Sequence, residues 1–335
     1  MSNSRKVKII GTGSYLPEKI LSNADFEKMI EVTDEWIVTR TGVKERRIAG
    51  KEEFSSTMGI LAAKRAMEVA GITAEEIDFI IVATITPDYA FPSTACLIQE
   101  GLKAKKAAAV DINAACSGCL YALMMAKAMI ESGSAKNILI IAAEKFSSIV
   151  NYKDRSTCIL FGDGAAANVV SGRGDRDGLE VRSLCLGADG EQANLLIMPA
   201  GGCRNPPSYK TVEEGMHFVQ MAGNEVFRHA VRQMESSCKE CLQLLGMQES
   251  SINWLIPHQA NERIIDAIAR RFRHLPPEKI IKTVKKYGNT SASSIGIALD
   301  ELLRGGGVQE GENILLTAFG AGFTWGSAIL TKVAT

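Results

Sequence analysis

Three polar residues stand in turns at the ends of apolar runs: Cys116 in Asn-Ala-Ala-Cys-Ser-Gly, His258 in Pro-His-Gln-Ala-Asn, and Asn289 in Gly-Asn-Thr-Ser-Ala. A thiol, an imidazole and a carboxamide supply a nucleophile, a proton-handling group and an oxyanion donor, the equipment of acyl transfer. Cys116 precedes residues 117–132, which carry Leu120, Leu123, Met124 and Ala128 and end at Gly133. It therefore lies at a helix N-terminus, where the dipole favours thiolate. His258 follows a proline that ends regular structure and precedes an amphipathic stretch; His217, His229 and His274 lack such a setting. Asn289 alone also reads as a turn followed by an N-cap, and the other two turns make it a site residue. A second glycine-rich turn, Phe319-Gly-Ala-Gly-Phe-Thr-Trp-Gly, suits a backbone N–H aimed at an oxyanion.

An internal repeat supplies the elements that carry these groups. At a shift of 176 residues, Asn113-Ala-Ala-Cys-Ser-Gly-Cys-Leu falls on Asn289-Thr-Ser-Ala-Ser-Ser-Ile-Gly, and Asn137-Ile-Leu-Ile-Ile-Ala on Asn313-Ile-Leu-Leu-Thr-Ala. At a shift of 175, Ile77-Asp-Phe-Ile-Ile falls on Ile252-Asn-Trp-Leu-Ile. Each half repeats one plan: a helix ending near a glycine, a buried strand, then a turn, helix and strand. Continuous β-branched runs at 77–84 and 138–143 suit strands covered on both faces. The expected fold is a duplicated α/β unit with two mostly parallel sheets between helices, its halves at 1–172 and 179–335 and its join at the polar run 172–178. Groups at the ends of such strands face one crevice, so both halves build one site.

The chain's composition limits the alternatives. At 335 residues and 46% apolar content the chain fills a large core. No signal-like core follows Met-Ser-Asn-Ser-Arg-Lys-Val-Lys, and no run approaches the roughly 20 apolar residues of a spanning helix, which predicts a cytoplasmic enzyme without a membrane partner. Lys plus Arg and Asp plus Glu both total 38, so no overall field points to nucleic acid. The eight cysteines read as reduced thiols, seven of them buried and inert and one reactive. Cys116/Cys119 and Cys238/Cys241 have zinc-like spacing, but each pair falls within a predicted helix, so no metal site is expected. Neither the second glycine turn nor Gly11-Thr-Gly13 completes a dinucleotide fingerprint.

The chain resembles the β-ketoacyl-acyl-carrier-protein synthase III family of thiolase-fold enzymes over essentially its whole length. The resemblance is carried by Gly11-Thr-Gly-Ser-Tyr-Leu-Pro, Asp34-Glu-Trp-Ile-Val-Thr-Arg-Thr-Gly42, the Cys116 turn, Phe161-Gly-Asp-Gly-Ala165, Met221-Ala-Gly-Asn-Glu-Val-Phe227, Pro257-His-Gln-Ala-Asn261, Gly288-Asn-Thr-Ser-Ala292 and Phe319 to Gly326. It implies a layered αβαβα fold, a homodimer, and a condensation that starts fatty-acid synthesis without any cofactor beyond its coenzyme A thioester substrates. Cys116 would take the acyl group from a short acyl-CoA while the N–H groups of Cys116 and Ala321 hold the oxyanion. Malonyl-acyl-carrier protein would then lose carbon dioxide to an enolate held by His258 and Asn289, and the carbanion would attack acyl-Cys116.

The resemblance also implies binding residues. Trp36 and Arg155 would clamp the adenine, Arg40 a phosphate, and Asn224 and Asn261 the pantetheine arm. Phe91, Cys119, Phe161 and Phe319 would shape the acyl pocket, Phe91 by reaching across the dimer into the partner's pocket. Arg228, Arg263, Arg270 and Arg271 form a basic patch suited to an acidic carrier protein, with Arg232 beside Arg228. Ala321 stands where many family members have a third glycine. Two other readings stay open at this point: a papain-like protease, which uses Cys, His and Asn in the same order, and a sister enzyme of secondary metabolism using other thioesters.

Overall fold

The computed structural model describes residues 6–334; Met1 to Arg5, part of the charged start of the chain, lie outside it. The first half contains β1 (Lys8–Tyr15), β2 (Ile20–Ser22), α1 (Asn23–Met29), α2 (Asp34–Thr41), β3 (Glu45–Arg47), α3 (Ser55–Ala70), β4 (Phe79–Ala83), α4 (Thr94–Leu102), β5 (Ala108–Ile112), α5 (Gly118–Glu131), β6 (Asn137–Glu144) and β7 (Gly164–Ser171). The second contains β8 (Gly178–Ala188), β9 (Leu196–Ile197), α6 (Tyr209–Glu213), β10 (Gln220–Met221), α7 (Gly223–Leu244), β11 (Trp254–Pro257), α8 (Glu262–Ala269), α9 (Val284–Tyr287), α10 (Ser293–Arg304), β12 (Asn313–Gly320) and β13 (Thr324–Val333).

The repeat is visible in the strand order. One half runs β5-β4-β6-β7-β1 and the other β8-β13-β12-β11, with Ile280 bridging outside β11 where β5 lies outside β4. β6 and β12 are eight residues each and start 176 residues apart, at Asn137 and Asn313. The expectation of two mostly parallel sheets holds for the inner strands only. β4 pairs parallel with β5 and β6, and β11 with β12, but β7 and β13 run antiparallel to their neighbours. For β13 the reason is connection length: only a short turn separates it from β12, and so short a link forces reversal, whereas β7 follows a long connection from β6. The two halves also join into a nine-stranded sheet through a short pairing of Lys8 and Ile9 with Glu180 and Leu179.

Side-chain alternation within the apolar runs builds the layers. On β6, Ile138 and Ile140 face an inner core shared with Leu120, Leu123, Leu299, Ile256 and Leu316, whereas Leu139 and Ile141 face α3 and α4 through Met58, Ala62 and Ile98. On β12, Ile314 and Leu316 point inward and Leu315 outward to Met234, Ile264 and Ile268 of α7 and α8. α5 and α10 thus form the middle of five layers and carry apolar or small residues around most of their circumference, as a fully buried helix requires. Because α5 and α10 are sandwiched there, the residues just ahead of them meet in the interior. Among the described residues no helix is long and apolar enough to cross a membrane.

Candidate active site

Cys116 sits in a single 3-10 turn, residues 115–117, that leads into α5, rather than within the α-helix itself. Ala115 adopts φ 44° and its repeat mate Ser291 φ 52°, so both halves use a left-handed residue to swing the following side chain into the interior. Gly320 packs against the Cys116 turn: a Cβ there would lie 2.6 Å from the Cys116 nitrogen, a contact that only glycine permits. Thr324 Oγ1 donates to the Ala114 carbonyl at 2.8 Å and accepts from Ser117 Oγ at 2.8 Å, fastening the second glycine turn to the nucleophile turn.

His258 directly follows β11, and its N–H donates to the Thr317 carbonyl of β12 at 2.7 Å. Its ring Nδ1 lies 2.7 Å from Ser294 Oγ, which also accepts from the Gln259 N–H at 3.4 Å. Donation from the Ser294 hydroxyl to Nδ1 satisfies both groups and places the ring proton on Nε2. Burial pushes the imidazole down to about 4, so at neutral pH the ring is an uncharged Nε2–H donor. The Asn289 backbone is fixed on both sides, its N–H donating to Leu160 at 2.8 Å and its carbonyl accepting from Gly162 at 3.0 Å. Its Oδ1 accepts from the Ser291 N–H at 2.8 Å, which leaves the amide's NH₂ end as the donor available to the cavity.

Cys116, His258, Asn289, Ala321, Phe161, Phe319 and Asn261 line one cavity of about 450 Å³. Its remaining walls are mostly apolar, with Ile85, Phe146, Leu196, Met198, Met221, Phe227 and Met234 among them. Burial pushes the Cys116 thiol up to about 12 and the nearby Glu144 raises it further, against the hydrogen bond from Ser291. The expectation of a dipole-favoured thiolate is therefore corrected: burial of the sulfur outweighs a helix end and favours the thiol.

Other expected site residues fall elsewhere. Cys119 is buried among Ala83, Ala142 and Ala292, one layer behind the cavity wall. Phe91 is 87% exposed and does not line this chain's own cavity. The Trp36 ring carries Arg40 at 4.3 Å and Arg155 at 5.6 Å, and Trp36 and Arg155 line a separate surface depression. Asn224 is exposed at the start of α7, and Asn261 spends its Oδ1 capping α8 through the Ile264 N–H at 3.0 Å. Of the arginines following His258, Arg263 alone lies within α8. Arg263 lies in the first turn of α8 over Phe227, Arg228 pairs with Glu225, Arg270 only caps the far end of α8, and Arg271 beyond it is held by Glu249 at 2.9 Å. α8 ends at Ala269, so Arg270 and Arg271 lie past the helix that the sequence places them on. Cys96 and Cys203 are exposed, not buried: Cys96 stands on the solvent face of α4, whose buried side is Thr94, Ala95, Ile98 and Leu102, and Cys203 lies between β9 and α6.

Sequence reasoning missed Ser291, Ser294 and Glu144. The two serines were read only as part of a polar turn, and a carboxylate at the end of a strand gives no local sign that it is buried. It also missed the cavity wall built by Ala193, Leu196, Ile197, Met198 and Val219.

A duplicated five-layer α/β fold with a cysteine, a neutral histidine and an asparagine at the inner ends of its repeats defines a thiolase-type condensing acyltransferase, which sets aside the protease reading. Two family models match, 3-oxoacyl-[acyl-carrier-protein] synthase III over residues 110–190 and its C-terminal region over 242–332. The β-ketoacyl-[acyl-carrier-protein] synthase III of Chlamydia caviae is 56% identical over 329 residues, 98% of each chain. The crystal structure of 3-oxoacyl-[acyl-carrier-protein] synthase III from Aquifex aeolicus superposes with a TM-score of 0.88 at 48% identity, covering 97% of this chain and 99% of that one. The priming β-ketosynthase of the R1128 polyketide biosynthetic pathway superposes with a TM-score of 0.89 at 34% identity, covering 99% of this chain and 98% of that one. The chain belongs to the β-ketoacyl-[acyl-carrier-protein] synthase III family, condensing enzymes that open fatty-acid synthesis.

Proposed function

We propose that this enzyme condenses a short acyl-CoA, acetyl-CoA in the first instance, with malonyl-acyl-carrier protein through an acyl-Cys116 intermediate. The convergence of Cys116, the His258 Nε2–H and the Asn289 amide on one mostly apolar cavity carries the reading. Cys116 attacks the thioester, and the Cys116 and Ala321 N–H groups hold the oxyanion. Coenzyme A leaves, and the malonyl group enters the same cavity. Its decarboxylation leaves an enolate oxygen between His258 and Asn289. Both donors are neutral, so they stabilise the charge without offering a readily lost proton to the carbanion. Trp36 with Arg155 and Arg40 receives the nucleotide end of coenzyme A, and Asn224 and Asn261 flank the pantetheine arm.

The carrier protein docks on Arg263 and Arg228, near the cavity wall formed by Phe227, with Arg270 and Arg271 at its margin. The enzyme works in the cytoplasm as a homodimer in which the exposed Phe91 enters the partner's acyl pocket; one methylene more or less there changes primer preference by roughly 1–3 kcal/mol. Intact-protein mass spectrometry with acetyl-CoA and with longer or branched acyl-CoAs, followed by malonyl-acyl-carrier protein, tests the reading. The expected result is an adduct that needs Cys116, absent in Cys116→Ala, and discharged by the malonyl carrier with appearance of the β-ketoacyl carrier. No adduct with any of the acyl-CoAs refutes it. The R1128 likeness supports a second reading, a priming condensation of secondary metabolism, which predicts discharge only by a dedicated carrier protein.

A further inference from the structure

The Cys116 thiol must lose its proton to attack, yet His258 offers the cavity a proton-bearing nitrogen and Asn289 a neutral amide, so the three turn residues leave that proton unplaced. The structure supplies a route behind the cavity wall. The Ser291 hydroxyl lies beside the Cys116 sulfur, where it lowers the thiol's pKa, and it donates its one proton to Glu144 Oε1 at 3.1 Å, which leaves its oxygen to accept from the Cys116 S–H. Glu144 is 0% exposed at the end of β6. Its Oε2 accepts from Thr86 Oγ1 at 2.7 Å, from the Ile85 N–H at 3.1 Å and from Thr84 Oγ1 at 3.3 Å. Ser291 is itself pinned, in its left-handed conformation, by the bond from its N–H to Asn289 Oδ1.

We propose that Glu144, acting through Ser291, holds the Cys116 proton while the enzyme is acylated and returns it when condensation frees the sulfur. The inference rests on the acyl-Cys116 reading above. As the sulfur lone pair forms the bond to the acyl carbon, the S–H proton passes to Ser291 Oγ and the Ser291 proton passes to Glu144 Oε1. Coenzyme A departs with the electron pair of its C–S bond and takes a proton from water. In condensation the carbanion forms its bond to the acyl carbon, the Cys116 C–S bond breaks with its pair on sulfur, and the relay runs backward. No oxidant or reductant enters. The transfer also removes the buried negative charge just before the malonyl carboxylate must approach.

The surroundings of Glu144 suit the task. Burial pushes its carboxyl up to about 7, opposed by the hydroxyl and amide donors, so both protonation states are accessible near neutrality. Among the described residues it meets neutral hydroxyls and one backbone N–H from the β4 end, Ser291 from the α10 end, and the Cys116 thiol from the α5 end. Its chain neighbour Lys145 points its Nζ away, to the Gly50 and Glu53 carbonyls at 2.8 and 2.7 Å.

The test is infrared difference spectroscopy of the full-length enzyme before and after single-turnover acylation by acetyl-CoA, read beside the mass of the adduct. A protonated-carboxyl band should appear on acylation and be missing in Glu144→Gln and Ser291→Ala. Both variants should acylate 10-fold or more slowly at pH 7, with the loss shrinking as pH rises and hydroxide takes over the thiol proton. A merely structural role for Glu144 would slow acylation at every pH alike. If wild type forms the adduct with no carboxyl band, or if Ser291→Ala acylates at the wild-type rate and pH profile, the relay is wrong while the condensing reaction stands. If no adduct forms, the underlying reading fails first. The wild-type spectrum decides the matter even if Glu144→Gln does not fold.

Discussion

Ser294→Ala should damage one half of the reaction and spare the other. The His258 ring is 3% exposed, and burial holds it neutral, so its usefulness depends on which nitrogen carries the proton. Ser294 Oγ, 2.7 Å from Nδ1, fixes that choice. Removing the hydroxyl leaves a buried acceptor without a partner, which costs about 1–3 kcal/mol. The ring can relieve that cost by moving its proton to Nδ1 or by turning, and either response withdraws the Nε2–H from the enolate. At about 1.4 kcal/mol per decade, the decarboxylation step should slow roughly 5- to 150-fold. Acylation of Cys116 relies on backbone N–H donors and should stay within about twofold. Single-turnover acylation followed by intact mass, and release of labelled carbon dioxide from malonyl-acyl-carrier protein, separate the two. Equal loss in both half-reactions, or wild-type decarboxylation, would refute the tautomer argument.

Gly320→Ala places a Cβ 2.6 Å from the Cys116 nitrogen, so it should displace that oxyanion donor and cut the acylation burst by roughly 10²- to 10³-fold, with folding checked by circular dichroism. Arg263→Glu should raise KM for malonyl-acyl-carrier protein several-fold, more so at low salt, and leave KM for acyl-CoA unchanged. Arg271→Glu should do less to carrier binding, because Glu249 already holds that side chain. The buried His258 has a folded pKa below its unfolded value of 6.5, so its stabilising contribution is present above 6.5 and is lost as pH falls toward 4, about 2 kcal/mol by pH 5. Thermal unfolding of His258→Gln should accordingly show a shallower acid decline than wild type.

The site was legible wherever chemistry and turn chemistry coincide. Cys116, His258 and Asn289 are polar groups at strand ends beside glycine or proline, and the 176-residue shift that maps 113 onto 289 also maps the left-handed Ala115 onto Ser291. The strands were legible for a similar reason, since runs buried on both faces need no polar alternation. Their sense was not: β13 reverses through its short link to β12, and the side chains of β7 carry no mark of direction. Arg271 shows another limit: sequence counts its charge, but only the fold reveals that Glu249 and Glu235 consume it. Phe91 shows a third, since an aromatic 87% exposed on this chain lines no wall of its cavity.

The opposite ionisation preferences of His258 and Glu144 bear on how one cavity serves two steps. Burial lowers the imidazole and raises the carboxyl, so each is pushed toward its neutral form by the same missing water. For Glu144 the sign of the linkage is reversed: its folded pKa lies above the unfolded 4.5, so its contribution is present below 4.5 and is lost as pH rises through 7. Between pH 5 and 8 that loss amounts to about 2 kcal/mol. Glu144→Gln carries no such charge, so its stability relative to wild type should improve by about that amount from pH 5 to pH 8 in denaturant melts. A difference that stays flat with pH would mean that the folded enzyme keeps Glu144 ionised across that range, as the unfolded chain does. That result would leave no carboxyl able to hold the Cys116 proton near neutrality.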